Sequence, residues 1–326
     1  MKSLAAILML CIMFFALGCE EAGSIRTIRL AHGLDINHSV HRAMVKMGRD
    51  IDSLSNGRLR IEIYPNQQLG TEREILELIQ LGSIDMTKVS VATLENFAPK
   101  TRILGLPYLF ESREHAFKVL DGPIGQSLLD NAKQFRLKGL GYYDAGFRSF
   151  YTEQEPVTSP DDLKGLKIRV MESITAMDMV KSLGGSPTPI SWGELYTSLQ
   201  QGVVDGAENN LPSFYLSKHY EVCPYYALDE HTFSPDVLIV GTQFWDTLSE
   251  KEQDWIGEAV KASLEHQRKL WAESESEALE KIKEKGVKVS YPDKEPFKEL
   301  TSEMYRAYED DEELNNMIMQ IKTLAN

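Results

Sequence analysis

Leu199-Gln200-Gln201-Gly202-Val203-Val204-Asp205-Gly206-Ala207-Glu208-Asn209-Asn210 reads as the end of a helix, a glycine stop and the start of a strand. Its first seven residues have an earlier counterpart in Ile79-Gln80-Leu81-Gly82-Ser83-Ile84-Asp85, again helix, glycine, strand and aspartate. An echo of this length is within reach of chance or of convergent capping, since glycine commonly ends helices. It is also what a chain of two similar α/β lobes would contain.

The flanking sequence follows the same grammar. Ile28 to His32 and Arg58 to Tyr64 read as strands around a helical pattern from about Val40 to Leu54, which stops near Asn56-Gly57. Thr71 to Leu81 is a second helix and Ile84 to Val89 a short buried strand, giving β-α-β order. Ser159-Pro160-Asp161-Asp162 is a helix-start signal placed directly before Leu163-Lys164-Gly165-Leu166-Lys167-Ile168-Arg169-Val170. There Leu166, Ile168 and Val170 share one face at period 2, so Arg169 points to the other. An inward-facing arginine needs an anion, and its planar fork matches a carboxylate bidentately. The alternative is an edge-strand arginine snorkelling to water.

Ser249-Glu250-Lys251-Glu252 is a capping box opening an amphipathic pattern that runs to Lys285, with Ile256, Val260, Leu264, Trp271, Leu279 and Ile282 along its apolar stripe. A helix of that length extends about 55 Å, longer than one small domain. A bend near Ser274 to Ser276, or two separate helices, fits the pattern as well. The acidic run from Glu309 to Glu313 reads as a solvated helix face.

At 326 residues the chain has room for two domains with proper cores. The formal net charge is −14, or −15 without residues 1–18. That balance argues against nucleic acid and against anionic membrane surfaces as partners, because both favour Lys/Arg-rich faces. Binding of an anion would therefore be local work for a few converging donors. Residues 1–18 read as a secretion signal, with Lys2 ahead of an apolar stretch from Leu4 to Leu17 that is short for a bilayer span. Ala16-Leu17-Gly18-Cys19 resembles a lipobox with Ala in place of Leu three residues before the cysteine. It points to lipid anchoring at Cys19, the alternative being cleavage beyond it to a free periplasmic protein. Cys11 and Cys19 fall in or at the end of the signal, which leaves Cys223 as a lone thiol whose expected state is buried and inert.

From Arg148 to Tyr226 the chain resembles the extracytoplasmic solute receptors of tripartite ATP-independent periplasmic (TRAP) transporters, the DctP-type family that takes sugar acids and C4-dicarboxylates. The resemblance rests on Gly146-Phe147-Arg148, on the strand ending in Arg169-Val170, on Gly184 to Tyr196 and on Leu199 to Asn210. Tyr64 to Glu74 and Gly105 to Phe110 extend it through the N-terminal half. It implies a two-lobed α/β periplasmic-binding-protein fold with a hinge and a long helix crossing both lobes. Residues 24–146 with 235–273 would form lobe I, and 147–234 with 274–326 lobe II.

The resemblance also assigns roles. Arg169 is the principal carboxylate ligand, Arg148 a second cleft arginine adding a charge-assisted bond, and Asn209 the amide that completes the clamp. Trp192 packs on the ligand's carbon skeleton, with core packing near Tyr196 as the alternative. Glu72, Ser90 and His32 fall at polar cleft positions, although Glu72 would serve a helix dipole anyway and His32 would serve as a polar strand end. An ionised Glu72 would repel a second carboxylate and accept from hydroxyls, which favours a hydroxylated monocarboxylate such as a hexuronate. C4-dicarboxylates, keto acids and aromatic acids stay open.

The expected partners are an organic acid and a pair of membrane permease subunits, with no cofactor. His38 and His41 sit at i, i+3, yet no third ligand stands at a recognised metal-site offset. Neither a nucleophile elbow nor a phosphate loop is present in the sequence. A periplasmic lyase or hydrolase acting on a sugar acid is the rival class, and a receptor that signals without transport is a third.

Overall fold

The computed structural model describes residues 25–325, so the expected export signal and the expected lipid anchor at Cys19 lie outside the described residues. Strands β1 (Arg26–Ala31), β2 (Leu59–Tyr64), β3 (Met86–Ser90), β4 (Leu137–Tyr143) and β11 (Asp236–Gly241) form one sheet in the order β2-β1-β3-β11-β4. The second sheet runs β12-β9-β5-β8-β6-β7, built from β5 (Phe147–Thr152), β6 (Lys167–Val170), β7 (Ser186–Pro189), β8 (Gly206–Asn209), β9 (Tyr225–Ala227) and β12 (Lys288–Ser290). A short β10 (Thr232–Phe233) pairs with β5.

The sequence echo marks equivalent joints in the two sheets. The Glu72–Gln80 and Trp192–Gln200 helices both end on a left-handed glycine, Gly82 at φ +77° and Gly202 at φ +68°. The capping bonds match: Ser83 N donates to Leu78 O (2.8 Å) and Gly82 N to Ile79 O (3.0 Å), as Val203 N does to Ser198 O (2.9 Å) and Gly202 N to Leu199 O (3.0 Å). Each following aspartate ties its strand to a backbone amide of a parallel neighbour. Asp85 Oδ2 accepts from Arg29 N at 2.8 Å and Asp205 Oδ2 from Lys167 N at 2.7 Å. Capping chemistry and strand pairing thus recur together, which chance in seven letters would not produce.

Alternation on central strands gives each sheet two cores. On β11, Val237 and Ile239 pack on one side with Ile75, Leu94 and Ile103, and Leu238 and Val240 on the other with Met44, Ile51 and Ile256. The second sheet is likewise covered by Leu195, Phe214 and Ile282 on one face and by Leu163, Val180 and Phe297 on the other. Cys223 is buried in the first of these two clusters, and burial pushes its thiol up to about 12.

Three connections join the two sheets. The chain passes from β4 to β5 through Asp144-Ala145-Gly146 and returns from β10 to β11 through Ser234-Pro235. The third is one continuous helix, Glu250–Glu284, with Ile256 and Val260 in a first-lobe core and Ala278 and Ile282 in a second-lobe core. Gln267 of this helix holds the first crossing, accepting from Asp144 N at 2.8 Å and donating to Asp144 O at 2.7 Å. The C-terminal stretch departs from the 274–326 assignment to lobe II. Although β12 extends the second sheet, Leu314, Ile318 and Ile321 of the Glu312–Thr323 helix pack into a first-lobe core. Their apolar stripe finds its partners there, beside the Arg113–Leu120 helix, where His115 Nε2 lies 2.8 Å from Ile321 O.

The crossing at Gly146 leaves no room for a side chain. At φ +61° an added Cβ would lie 2.8 Å from Glu275 Oε1 and 3.0 Å from Trp271 Nε1, whereas one at Gly202 meets nothing within 4 Å. Gly202→Ala should cost about 1 kcal/mol, the left-handed strain alone. Gly146→Ala should cost clearly more, about 2–4 kcal/mol, in urea unfolding midpoints, because steric displacement adds to the strain.

Candidate functional site

Strand order assembles the site. Because β5, β8 and β6 are neighbours, Arg148, Asn209 and Arg169 stand side by side, with Ser149 opposite Asn209 and Arg169 opposite Ala207. Ile168 and Val170 enter the core, so alternation sends Arg169 to the other face, as the sequence implies. All three residues open on a cleft between the lobes with about 800 Å³ of empty space including its mouth. Trp192, at the start of its helix, and Glu72 and Ser90, from the first lobe, line it as well. His32 does not. Its ring is consumed locally, with Nδ1 accepting from Leu34 N at 3.1 Å and Nε2 3.0 Å from His41 Nδ1.

The two arginines are in opposite states. Arg148 has four of its five N–H donors engaged: Nε and Nη2 grip both carboxylate oxygens of Glu208, Nη2 also donates to Glu208 O (2.8 Å), and Nη1 donates to Asn209 Oδ1 (3.1 Å). His231 closes the network, with Nδ1 2.6 Å from Asp229 Oδ2 and Nε2 3.5 Å from Glu208 Oε2. Burial opposes ionisation of each group, yet mutual attraction wins: Glu208 is held down at about 2 by Arg148 and His231, and His231 is pushed up to about 9 by Asp229 and Glu208.

Arg169, 2% exposed, donates from Nε to Ile190 O at 2.9 Å, and among the described residues no carboxylate pairs with it. Burial lowers its pKa to about 10, leaving it cationic at any physiological pH. Its terminal N–H groups are free for a ligand. Asn209 contributes similarly: its Oδ1 is used by Arg148 and by Asn210 N (2.9 Å), so its Nδ2 is the end left to donate.

The first-lobe wall is a second charge cluster. Lys88 Nζ lies 2.9 Å from Glu72 Oε1 and 3.0 Å from Asp236 Oδ2, and Glu72 Oε2 accepts from Ser90 N (3.2 Å) and Thr93 Oγ1 (3.1 Å). Trp192 has its ring 5.2 Å from that of His219, half-buried and facing the cleft, so its packing and lining roles coexist.

The lobes also touch directly. Glu95 of the first lobe accepts from Thr175 N (3.0 Å), Ser173 Oγ (2.9 Å) and Thr175 Oγ1 (2.7 Å), at the N-terminus of the Ile174–Ser182 helix. Gln67 Oε1 accepts from Gly193 N at 3.1 Å at the start of the Trp192–Gln200 helix. Each contact aims a first-lobe acceptor at the amide end of a second-lobe helix.

A two-lobed α/β architecture, a three-way crossover and an unpaired buried arginine in the cleft describe a receptor for a small anion. The sequence profile described as bacterial extracellular solute-binding protein, family 7 (DctP), matches residues 30–311. The chain belongs to this family. An uncharacterized protein of Salmonella typhimurium is 36% identical over 301 residues, covering 92% of each chain. A TRAP periplasmic solute binding protein from a Bradyrhizobium species, solved with α/β-D-galacturonate, is 38% identical and superposes with a TM-score of 0.89 over 91% of this chain and 100% of that one. Another, from Anaerococcus prevotii with bound α/β-D-glucuronate, is 36% identical with a TM-score of 0.90 over 92% and 98%.

For this TRAP solute-binding protein the sequence reading missed Lys88, Asp236, His38 and Trp271, all of which line the cleft. Lys88 carried a signal, since it alternates with Ser90 on a strand buried throughout. His38 reaches the cleft from the N-cap of the Ser39–Leu54 helix, where its Nδ1 accepts from Val40 N at 3.2 Å, and so it is no helix-face partner of His41. Among the described residues no helix is long and apolar enough to cross a membrane.

The network behind Arg148 sets a pH window for stability. His231, raised from 6.5 to about 9, contributes fully below pH 6.5 and loses its contribution as pH rises through 9. Glu208, lowered from 4.5 to about 2, contributes fully above pH 4.5 and loses it as pH falls through 2. Thermal unfolding across pH should therefore show a plateau between about 4.5 and 6.5 for this pair, and His231→Gln should flatten the alkaline limb, on the order of 3 kcal/mol, while only weakening the acid limb, which Arg148 still sustains.

Proposed function

We propose that this receptor binds a hexuronate, of the galacturonate or glucuronate type, and delivers it to the TRAP membrane permease. The observation that carries this is Arg169, a cationic guanidinium desolvated in the cleft with free donors and, among the described residues, no carboxylate to satisfy them. A ligand carboxylate supplies the missing partner in bidentate geometry, and Asn209 Nδ2 adds a third donor. Arg148, already committed to Glu208, orients Asn209 and has little left to offer the ligand directly. Opposite, Glu72 and Asp236 present acceptors that suit hydroxyl groups, and the Trp192 ring suits the C–H face of a sugar. The galacturonate and glucuronate bound by the two similar structures support the same ligand class.

On this reading the lobes close by hinge motion about the crossing strands, and the Glu95 and Gln67 contacts form as they close. Closure presents a surface to the permease subunits. The receptor works outside the cytoplasmic membrane, tethered through Cys19, and passes its ligand on unchanged.

A thermal-shift screen followed by calorimetry tests the ligand. Galacturonate or glucuronate should raise the melting temperature and bind with a dissociation constant near or below micromolar, about −8 kcal/mol, while C4-dicarboxylates should give little or no shift. Arg169→Ala should weaken that binding roughly a hundredfold or more. Its apo melting temperature should hardly change, because relief from burying an unpaired charge offsets loss of the bond to Ile190 O and of the side chain's packing. Unaltered binding by the variant would remove Arg169 from the clamp.

A further inference from the structure

The charges around the cleft do not cancel locally, and their imbalance is split between its two walls. On the second-lobe wall, Arg148 and protonated His231 balance Glu208 and Asp229, so Arg169 is a surplus of one positive charge. On the first-lobe wall, Lys88 stands between Glu72 and Asp236, two carboxylates to one ammonium. These three side chains are only 4%, 12% and 8% exposed, so water screens the surplus negative charge poorly. At the mouth, Arg73 and Glu172 lie 3.8 Å apart and offset one another in solvent. His38 stays neutral because burial and the nearby Lys88 disfavour its charged form.

We propose that Glu72, Lys88 and Asp236 form a charge filter that admits acids with one carboxylate and rejects those carrying a second carboxylate at the far end of the molecule. The inference rests on the uronate reading and assigns specificity to Lys88 and Asp236, which no motif singled out. Burial and the neighbouring Glu72 push the Asp236 carboxyl up from its ordinary range, and Lys88, 3.0 Å away, works against that rise and favours the charged form. A ligand anchored at Arg169 then meets a net negative wall at its other end. Hydroxyls there donate to the remaining lone pairs of Glu72 and Asp236, but a carboxylate brings no proton to donate and is repelled. Discrimination comes from charge and not from volume.

Galactarate is the diacid that corresponds to galacturonate, but it cannot close the same ring. The comparison that isolates charge is therefore with its own monoamide, which has the same shape and one carboxylate fewer. Calorimetry on the wild-type receptor at pH 8 should find the monoamide binding about a hundredfold or more tightly than galactarate. Asp236→Asn and Glu72→Gln each remove one negative charge and should narrow that ratio at least tenfold, whatever they do to affinity as a whole. Equal binding of monoamide and diacid would overturn the filter, as would variants that leave the ratio unmoved. Rejection of both open-chain acids would assign selection to shape and also overturn it. These wild-type measurements need no variant to fold. Failure of galacturonate and glucuronate themselves to bind would overturn the uronate assignment together with the filter, whereas galacturonate and galactarate binding alike would overturn the filter alone.

Discussion

A guanidinium held out of water with no carboxylate beside it is the condition on which the rest of this structure turns. Burying an unpaired charge is costly, and for Arg169 the cost shows as a pKa lowered to about 10. The fold tolerates it because Nε is satisfied by Ile190 O and because strand alternation allows Arg169 no other face once Ile168 and Val170 are in the core. The cleft therefore carries a demand for an anion that the described residues do not meet. A ligand that meets it recovers free energy the apo fold has already forgone, and that is the physical basis of affinity here.

Arg148 shows why residue type alone does not define a site. It is the same chemical group one strand away, yet Glu208 takes its fork, and it acts by fixing Asn209. The buried Glu208–His231–Asp229 chain completes that support and confines the positive surplus to one residue. On the facing wall the sign is reversed by Glu72, Lys88 and Asp236. A polarised cleft orients a ligand that is anionic at one end and hydroxylated at the other before any close fit is tested.

Closure and charge are mechanically connected. The crossing at Asp144 to Gly146 is clasped by Gln267 and packed on Trp271, so the long helix holds the first crossing between the lobes. Farther out, Glu95 and Gln67 meet the amide ends of two second-lobe helices, and the second of these helices begins with the cleft residue Trp192. Movement of the lobes therefore carries ligand-facing residues and latch contacts together.

What the sequence determined by itself is what depends on near neighbours in the chain. Helix limits with their caps, the period-2 face of Arg169 and the paired helix-glycine-strand-aspartate joints were legible, because capping and alternation are set within a few residues, whereas that the Glu250–Glu284 helix runs without a break was decided by the structure. Of the seven residues that the family resemblance named, Arg169, Arg148, Asn209, Trp192, Glu72 and Ser90 line the cleft. Only the tertiary structure decided which arginine is free, because Glu208 and Arg148 meet through β5–β8 pairing. It replaced His32 with His38, since ring orientation at a strand end follows from whichever partners fold against it. It brought Asp236 to Lys88 across β3 and β11, and it returned the final helix to the first lobe. Pairings between residues far apart in the chain leave no periodic trace, because nothing local requires them.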